Sequence, residues 1–133
     1  MTDETESTIL TFPDGLPGLR TETAFQLWAK HEESVFQLLE SQDTDGLAFV
    51  VVNPWLFYPT YAPNIDEQSC NRLDLTSPAE AVLLAIVKFD GETRQAWANL
   101  QAPIVINART QKGMQVILED GSWPLAAPLP VQW

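Results

Sequence analysis

The chain has 133 residues, a length typical of one domain, and 45% of them are hydrophobic, which is a globular rather than a disordered composition. Seven lysines and arginines stand against eighteen aspartates and glutamates, so the formal net charge is −11. Ten of the acids and only two of the bases lie in residues 1–45. Because such a surface repels phosphate backbones, we expect no direct nucleic-acid binding and instead expect docking onto a basic protein.

Cysteine and histidine usage excludes several classes of site. Cys70 and His31 are single, so no disulfide within the chain, cysteine-based zinc site or histidine-rich metal site is possible, and we expect no cofactor. The first residues, MTDETEST, are acidic where a secretory signal is basic, and with the lone thiol they predict a cytoplasmic protein. Residues 46–65 carry no charge, but their three prolines argue against a membrane-spanning helix.

The first half of the chain predicts four short strands. We expect residues 1–8 to be frayed and residues 9–12 to form a strand. Residues 13–18 contain two glycines and two prolines, which predicts a loop in which Gly15 and Gly18 adopt positive φ. Alternating patterns over residues 23–30 and 34–39 predict a hairpin with a polar turn at 31–33, and the apolar run 47–52 predicts a strand buried on both faces.

The second half adds further strands and one helical turn. Ser77, Pro78 and Glu80 form a helix-start pattern, after which residues 82–89 predict a buried strand. We expect a short strand at 96–100 and a hairpin of 104–106 with 114–118, and the proline-rich tail 121–133 is expected to be extended. The alternation places four side chains on one core-facing side of that hairpin: Ile104, Ile106, Val116 and Leu118.

These elements predict a mostly β fold, a small β-barrel-like single domain spanning residues 1–133 with one short helix. No phosphate-binding loop or nucleophile elbow is present. The adjacent acids at 32–33 and 119–120 lie in predicted turns, His31 lies between charged neighbours, and Cys70 has only Arg72 near it in sequence. A hydrolase that uses His31 or a carboxylate pair is therefore disfavoured.

An aromatic segment at residues 53–61 is the most informative feature. Four aromatic residues lie within residues 55–61, and Pro54 and Pro59 prevent regular structure from absorbing all of them. Either the aromatic rings are available to a partner, with Tyr58 and Tyr61 as anchors, or they close the end of the barrel core. Both alternatives remain open at the level of sequence.

Four short segments resemble sequence motifs of one known family. Residues 12–19, FPDGLPGL, resemble the motif F-x-x-G-L-P-G, and residues 47–59, LAFVVVNPWLFYP, are similar to a strand followed by Asn-Pro. Residues 99–107, NLQAPIVIN, and residues 113–118, GMQVIL, resemble N-L-x-A-P-I-V-I-N and G-x-Q-x-I-L. These four motifs, in this order from residue 12 to residue 118, resemble the flagellar assembly factor FliW family.

This resemblance implies a non-enzymatic regulator with a small β-barrel-like fold. It implies binding to flagellin in the cytoplasm and antagonism of the RNA-binding translational regulator CsrA, which couples flagellin synthesis to export. We expect a monomer. The alternative is a small barrel that binds an apolar small ligand, with the aromatic segment at its mouth. The predicted partner-binding residues lie in the matching segments or, for Tyr61, two residues beyond one: Asn53, Pro54, Tyr58, Tyr61, Asn99 and Asn107.

Overall fold

The computed structural model describes residues 6–29, 34–119 and 121–131. The predictions for residues 1–5, for the turn at His31 and for Asp120 lie outside the described residues. Within the described ranges the structure has nine strands, one α-helix and two 3₁₀ turns. The strands are β1 (Glu6–Thr11), β2 (Ala24–Ala29), β3 (Phe36–Ser41), β4 (Ala48–Val52), β5 (Ala81–Phe89), β6 (Ala96–Ala98), β7 (Ile104–Asn107), β8 (Lys112–Gln115) and β9 (Ala127–Leu129). The helix α1 is Glu67–Arg72, and the 3₁₀ turns are Pro54–Leu56 and Pro78–Glu80.

Seven of these strands close into a barrel. Strands β1 to β5 follow one another as antiparallel neighbours, β5 pairs with β7, and β7 pairs with β8. The circle is completed by a parallel pairing between Thr11 of β1 and Lys112 of β8. The far end of β5 pairs with β6, which pairs with β9. The predicted mostly β, barrel-like fold with one short helix is confirmed.

The barrel interior is one of two hydrophobic cores. Side chains from β1, β2, β3, β4, β5 and β7 meet there, as expected when strands of a barrel alternate inward and outward. Phe12 and Phe25 pack edge to face with ring centroids 5.1 Å apart. Gly113 lies under the Phe12 ring: a Cβ at that position would come within 2.9 Å of Phe12 Cζ. Close approach of this ring therefore requires glycine at position 113.

The second core lies on the outer face of β4, β5 and β7. It is covered by the segment that connects β4 to β5 and by the chain after β8. Its buried residues include Val52, Leu83, Val105, Val116 and Leu118. Residues 83–85 of β5 and all of β7 are therefore buried, with side chains on both faces covered, which is why these stretches are apolar without alternation.

The hairpin prediction requires a correction. Ile104 and Ile106 point into the barrel, whereas Val116 and Leu118 belong to the second core, so the four do not share one face. Strand β8 also ends at Gln115, before Val116. All residues of β7 are buried, so hydrophobicity alone carries no information about which face a residue occupies.

Several element boundaries and types differ from the predicted ones. Strand β1 begins at Glu6, inside the segment expected to be frayed, because its residues pair with β2 from Glu6↔Ala29 onward. The helical turn predicted after Ser77 is a 3₁₀ turn, and it leads directly into β5 as expected. Helix α1 was not predicted, since six residues without an apolar stripe give no helical periodicity.

Candidate protein-binding surface

The aromatic segment begins with a turn that the sequence specifies locally. Asn53 follows β4, and its Oδ1 accepts a hydrogen bond from the backbone N–H of Trp55 at 3.0 Å. Pro54 occupies the first position of the 3₁₀ turn, where its fixed φ is favourable and its missing N–H costs nothing. The turn leaves Trp55 38% exposed and Leu56 58% exposed. An Asn-Pro pair thus places two large apolar side chains at the surface.

Tyr61 faces inward, so the expectation that its ring is available to a partner is wrong. The residue is 3% exposed, and its hydroxyl donates to the backbone carbonyl of Leu100 at 2.8 Å. Its ring packs against Trp55 at a centroid distance of 5.9 Å and edge-on against Trp123 at 4.8 Å. Burial raises the pKa of the Tyr61 phenol to about 12. For Tyr61, the alternative of an aromatic core residue is the correct one.

Tyr58 occupies an intermediate position. It is half-buried against the second core, and its hydroxyl donates to the backbone carbonyl of Pro128 in β9. Burial raises the pKa of the Tyr58 phenol. Part of its ring remains accessible, so a role of Tyr58 in partner binding stays a prediction.

The remaining predicted site residues serve largely to connect backbone segments. Asn107 is fully buried: its Nδ2 donates to the carbonyls of Leu73 and Asp74, and its Oδ1 accepts from the N–H groups of Arg109 and Thr110. This side chain joins the β7–β8 turn to the segment after α1. Burial leaves Asn107 no surface for a partner in this structure.

Asn99 and Pro54 each lie in a turn. Asn99 is half-buried, and its Oδ1 accepts from the N–H groups of Gln101 and Ala102, which forms the turn between β6 and β7. Pro54 is buried. Of the six predicted residues, Asn53 is exposed, Tyr58 and Asn99 are half-buried, and Pro54, Tyr61 and Asn107 are buried.

A groove of about 510 Å³ lies beside the exposed Trp55. We call it the Trp55 groove. It lies between the aromatic segment, helix α1 and the start of β5, and none of its lining residues is charged. The lining residues are Trp55, Tyr61, Ala62, Pro63, Ile65, Cys70, Leu75, Thr76, Ser77, Pro78, Ala81 and Leu83.

Helix α1, whose Cys70 lines this groove, begins with a side-chain N-cap. Asp66 Oδ2 accepts from the N–H of Ser69 at 3.0 Å, and Oδ1 accepts from the Ser69 hydroxyl at 2.6 Å. These two bonds hold the pKa of the Asp66 carboxyl below its ordinary value. Cys70 contributes its thiol to the groove wall at a distance of 3.9 Å from the carbonyl oxygen of Ile65. The geometry gives this thiol a packing role.

The Glu80 carboxylate makes hydrogen bonds beside Thr76, Ser77 and Pro78, three lining residues that we call the groove lip. Glu80 accepts hydrogen bonds from the hydroxyl and N–H of Thr76 and from Arg109 Nε at 2.6 Å. The Thr76 hydroxyl bond, followed by the Arg109 bond, lowers the pKa of the Glu80 carboxyl to about 2. Arg109 Nη2 also donates to the carbonyl of Asp74. The lip is thereby tied to the turn after β7.

The part of the chain that the structure describes contains no cluster of three or more histidine, cysteine, aspartate or glutamate side chains that could hold a metal ion. No helix in residues 6–29, 34–119 and 121–131 is long and apolar enough to cross a membrane.

The sequence indicates the segment that carries the apolar surface but does not identify its exposed side chains. Of the two predicted anchors Tyr61 is buried and Tyr58 stays a prediction, whereas Trp55 and Leu56 are exposed. Ile65 and Leu75 of the groove are not among the predicted site residues. The Asn-Pro cap was the signal that could have identified Trp55 and Leu56, because it predicts a tight turn right after a buried strand.

Known proteins match this chain along nearly its whole length. The family described as "FliW protein" matches residues 1–129. The flagellar assembly factor FliW of Bacillus licheniformis is 34% identical over 124 residues, which is 93% of this chain and 87% of the relative. That of Geobacillus kaustophilus is 36% identical over 118 residues, 89% and 81% of the two chains. A crystal structure of the flagellar assembly factor FliW is similar with a TM-score of 0.85 at 33% identity, covering 92% of this chain and 86% of the other.

Proposed function

Because this chain belongs to the FliW family of flagellar assembly factors, we propose that it binds flagellin in the cytoplasm and antagonises a CsrA-type translational regulator. In this role it is a non-enzymatic, monomeric regulator that couples flagellin synthesis to export. The family resemblance seen in the four sequence motifs is confirmed by the matches, and flagellar assembly is the function in the relatives' names. Flagellin and CsrA as the two partners are the finer part of the proposal.

The observation that carries the flagellin part is the Trp55 groove with its exposed rim. An uncharged, largely apolar groove next to Trp55 and Leu56 offers contact to an apolar segment of a partner. Flagellin held before export is expected to expose such segments, because its assembly contacts are not yet made. Rigid aromatic side chains lose little conformational entropy on binding, which makes Trp55 a suitable anchor.

The acidic surface supports the CsrA part. Arg72, Arg109 and Lys112 lie 3.6, 2.6 and 3.4 Å from acidic partners, so their charges are already offset. In the part of the chain that the structure describes, exposed acids such as Asp45 and Glu67 have no such partner. A regulator that binds RNA carries a basic surface, and the excess negative charge of this chain would attract it and disfavour RNA nearby.

A barrel that encloses a small apolar ligand fits the structure less well. Phe12, Phe25, Leu39 and Val51 fill the barrel interior and have no exposed surface. The groove lies outside this interior, beside the second core.

Binding measurements with purified partners test the proposal. We expect the chain to bind flagellin and, separately, CsrA in calorimetry, and we expect addition of flagellin to release CsrA from it. Leu56→Ala and Trp55→Ala should weaken flagellin binding by about 10-fold or more, which corresponds to ~1.4 kcal/mol. Leu125→Ala is the matched control, because Leu125 is 64% exposed and apolar but lies away from the groove. A wild-type chain that binds neither protein would refute the proposal.

A further inference from the structure

A pocket that the proposed function does not use lies on the hairpin of β5 and β6. Its volume is about 480 Å³, and it shares no lining residue with the Trp55 groove. We call it the Lys88 pocket, because Lys88 is the one charged residue among the described residues that line it. The lining residues are Ile86, Lys88, Trp97, Asn99, Leu125 and Ala126.

The register of the hairpin places two apolar and two polar side chains on one face. Lys88 lies opposite Trp97, and the N–H of Asn99 donates to the carbonyl of Ile86 at 2.9 Å. Residues that lie opposite each other, or two positions apart on one strand, share a face of a β-sheet. Lys88 and Asn99 are therefore diagonal neighbours, which lie roughly 7–8 Å apart in an antiparallel pair, so both side chains can reach one group bound between them.

Both polar side chains offer hydrogen-bond donors to the pocket. Asn99 Oδ1 accepts from the N–H groups of Gln101 and Ala102, which leaves the Nδ2 donors without a partner among the described residues. Lys88 is exposed and forms no ion pair within the described ranges. The carboxylate of Asp90, the nearest acid in sequence, accepts from N–H groups of the turn after β5. The pocket therefore presents donors and one positive charge, which an anionic acceptor complements.

The apolar rim of the pocket is fixed by backbone hydrogen bonds on both sides. The carbonyl of Pro124 accepts from the N–H of Leu100 at 3.0 Å, and Ala127 pairs with Ala98. Leu125 lies between these two anchors and is 64% exposed. A small ligand in the pocket would leave this rim in water, whereas a protein surface would cover the rim together with the pocket. The exposed rim therefore favours a protein as the occupant.

We propose that the Lys88 pocket binds a segment of a partner protein in which an acidic side chain lies between large apolar side chains. The carboxylate accepts from Lys88 Nζ and Asn99 Nδ2 in charge-assisted hydrogen bonds, and the apolar side chains pack against Trp97 and Leu125. One positive charge matches a carboxylate, whereas a doubly charged phosphate would keep negative charge beside a chain of net charge −11. This interaction goes beyond the binding of flagellin and CsrA and requires neither.

Two end-blocked peptides, Leu-Glu-Leu and Leu-Gln-Leu, test the requirement for a carboxylate. Each is titrated into the isotope-labelled full chain, and NMR follows the indole N–H signal of Trp97 in the pocket, with that of Trp55 at the groove as the reference. We expect the Glu peptide to shift the Trp97 signal and to bind at least about threefold more tightly than the Gln peptide. A Trp97 signal that neither peptide shifts, or that both shift equally, would overturn the proposal.

Single substitutions assign the effect to the two donors. Lys88→Glu reverses the charge, and Asn99→Asp keeps the Oδ1 acceptor of the turn while it replaces the Nδ2 donors by an acceptor. We expect each to weaken binding of the Glu peptide by about threefold or more.

Arg20→Glu is the matched control for the change in net charge. Arg20 is exposed, forms no ion pair with a described residue and lies outside the pocket. We expect this variant to change the affinity by less than about twofold, because distant exposed charges are screened. Equal effects of Lys88→Glu and Arg20→Glu would trace binding to net charge and contradict a site at Lys88.

Other occupants give different results in the same assay. Octanoate supplies an apolar chain and a carboxylate without a peptide, so tighter binding of octanoate than of the Glu peptide would overturn a protein partner. A Trp97 signal that moves when the free chain is diluted would assign the pocket to a second copy of this chain and overturn the proposal as well. Each of these negative outcomes leaves the proposed function intact, because the Lys88 pocket and the Trp55 groove have no residue in common.

Discussion

Replacement of Tyr61 distinguishes a core residue from a binding residue. Tyr61→Phe removes the hydroxyl that donates to the carbonyl of Leu100, a residue with no exposed surface. Loss of that bond with a buried acceptor left behind costs ~1–2 kcal/mol. Tyr61→Ala also removes the ring that packs between Trp55 and Trp123, and loss of a buried aromatic side chain costs ~3–5 kcal/mol.

These free energies translate into melting temperatures. The unfolding entropy of ~2.1 cal/mol/K per residue gives about 0.28 kcal/mol/K for this chain, so 1 kcal/mol lowers Tm by about 3–4 °C. We expect Tyr61→Phe to lower Tm by about 4–7 °C and Tyr61→Ala by about 10–18 °C in calorimetric melting at pH 7. Tyr58→Phe is the control: its hydroxyl also donates to a backbone carbonyl, but this bond is exposed, so we expect a smaller decrease in Tm.

The raised pKa of Tyr61 adds a pH signature to this prediction. A phenol with a pKa of about 12 in the folded chain and 10 when unfolded stabilises the fold fully below pH 10. That contribution is lost as the pH rises from 10 to about 12, and Tyr61→Phe should lose less stability over this range than the wild type. A Tyr61→Ala variant that melts like the wild type but fails to bind flagellin would refute the core assignment and restore the surface role.

Four further predictions concern the barrel core, the contact between Phe12 and Gly113, the Glu80 carboxylate beside the groove and the net negative charge of the chain. Ile106→Ala should lower the free energy of unfolding in urea by ~2–5 kcal/mol, because Ile106 is buried in the barrel; an unchanged midpoint would contradict this. Gly113→Ala should cost ~1–3 kcal/mol, since its Cβ would press on the Phe12 ring, and Gly91→Ala, which meets nothing, is the control. The pKa of Glu80 is about 2 against an ordinary 4.5, so its stabilisation is present above pH 4.5 and lost as pH falls toward 2; the stability difference from Glu80→Gln should shrink over that range. The association rate with CsrA in stopped-flow should fall as salt rises, and a salt-independent rate would contradict electrostatic steering.

Most strands were predictable from the sequence because the turns between them contain glycine, proline and capping residues with strong backbone preferences. Gly15 and Gly18 adopt the positive φ expected of the loop after β1, with values of 67° and 80°. The Pro78 turn and the start of β5 follow the Ser-Pro pattern, and the proline-rich tail contains the short strand β9. These features depend on local backbone preferences, which the sequence contains.

The site was less predictable because it depends on long-range contacts. The inward position of Tyr61 is decided by Leu100 and Trp123, which lie 39 and 62 positions further along the chain. The burial of Asn107 depends on the carbonyl of Leu73, 34 residues earlier. Motif residues that match a family can therefore hold the fold together rather than contact a partner, and only the tertiary arrangement separates these roles.

The single parallel pairing that closes the barrel has a consequence for the order of folding. Strands β1 to β4 form from antiparallel neighbours joined by short connections, whereas Thr11 meets Lys112 across about 100 residues of chain. Pairing of positions so far apart in sequence loses the most chain entropy and gains here only one residue pair, with Phe12 packed on Gly113 beside it. We therefore expect closure of this seam to be the last step on the folding path, and its opening to be the first step of unfolding.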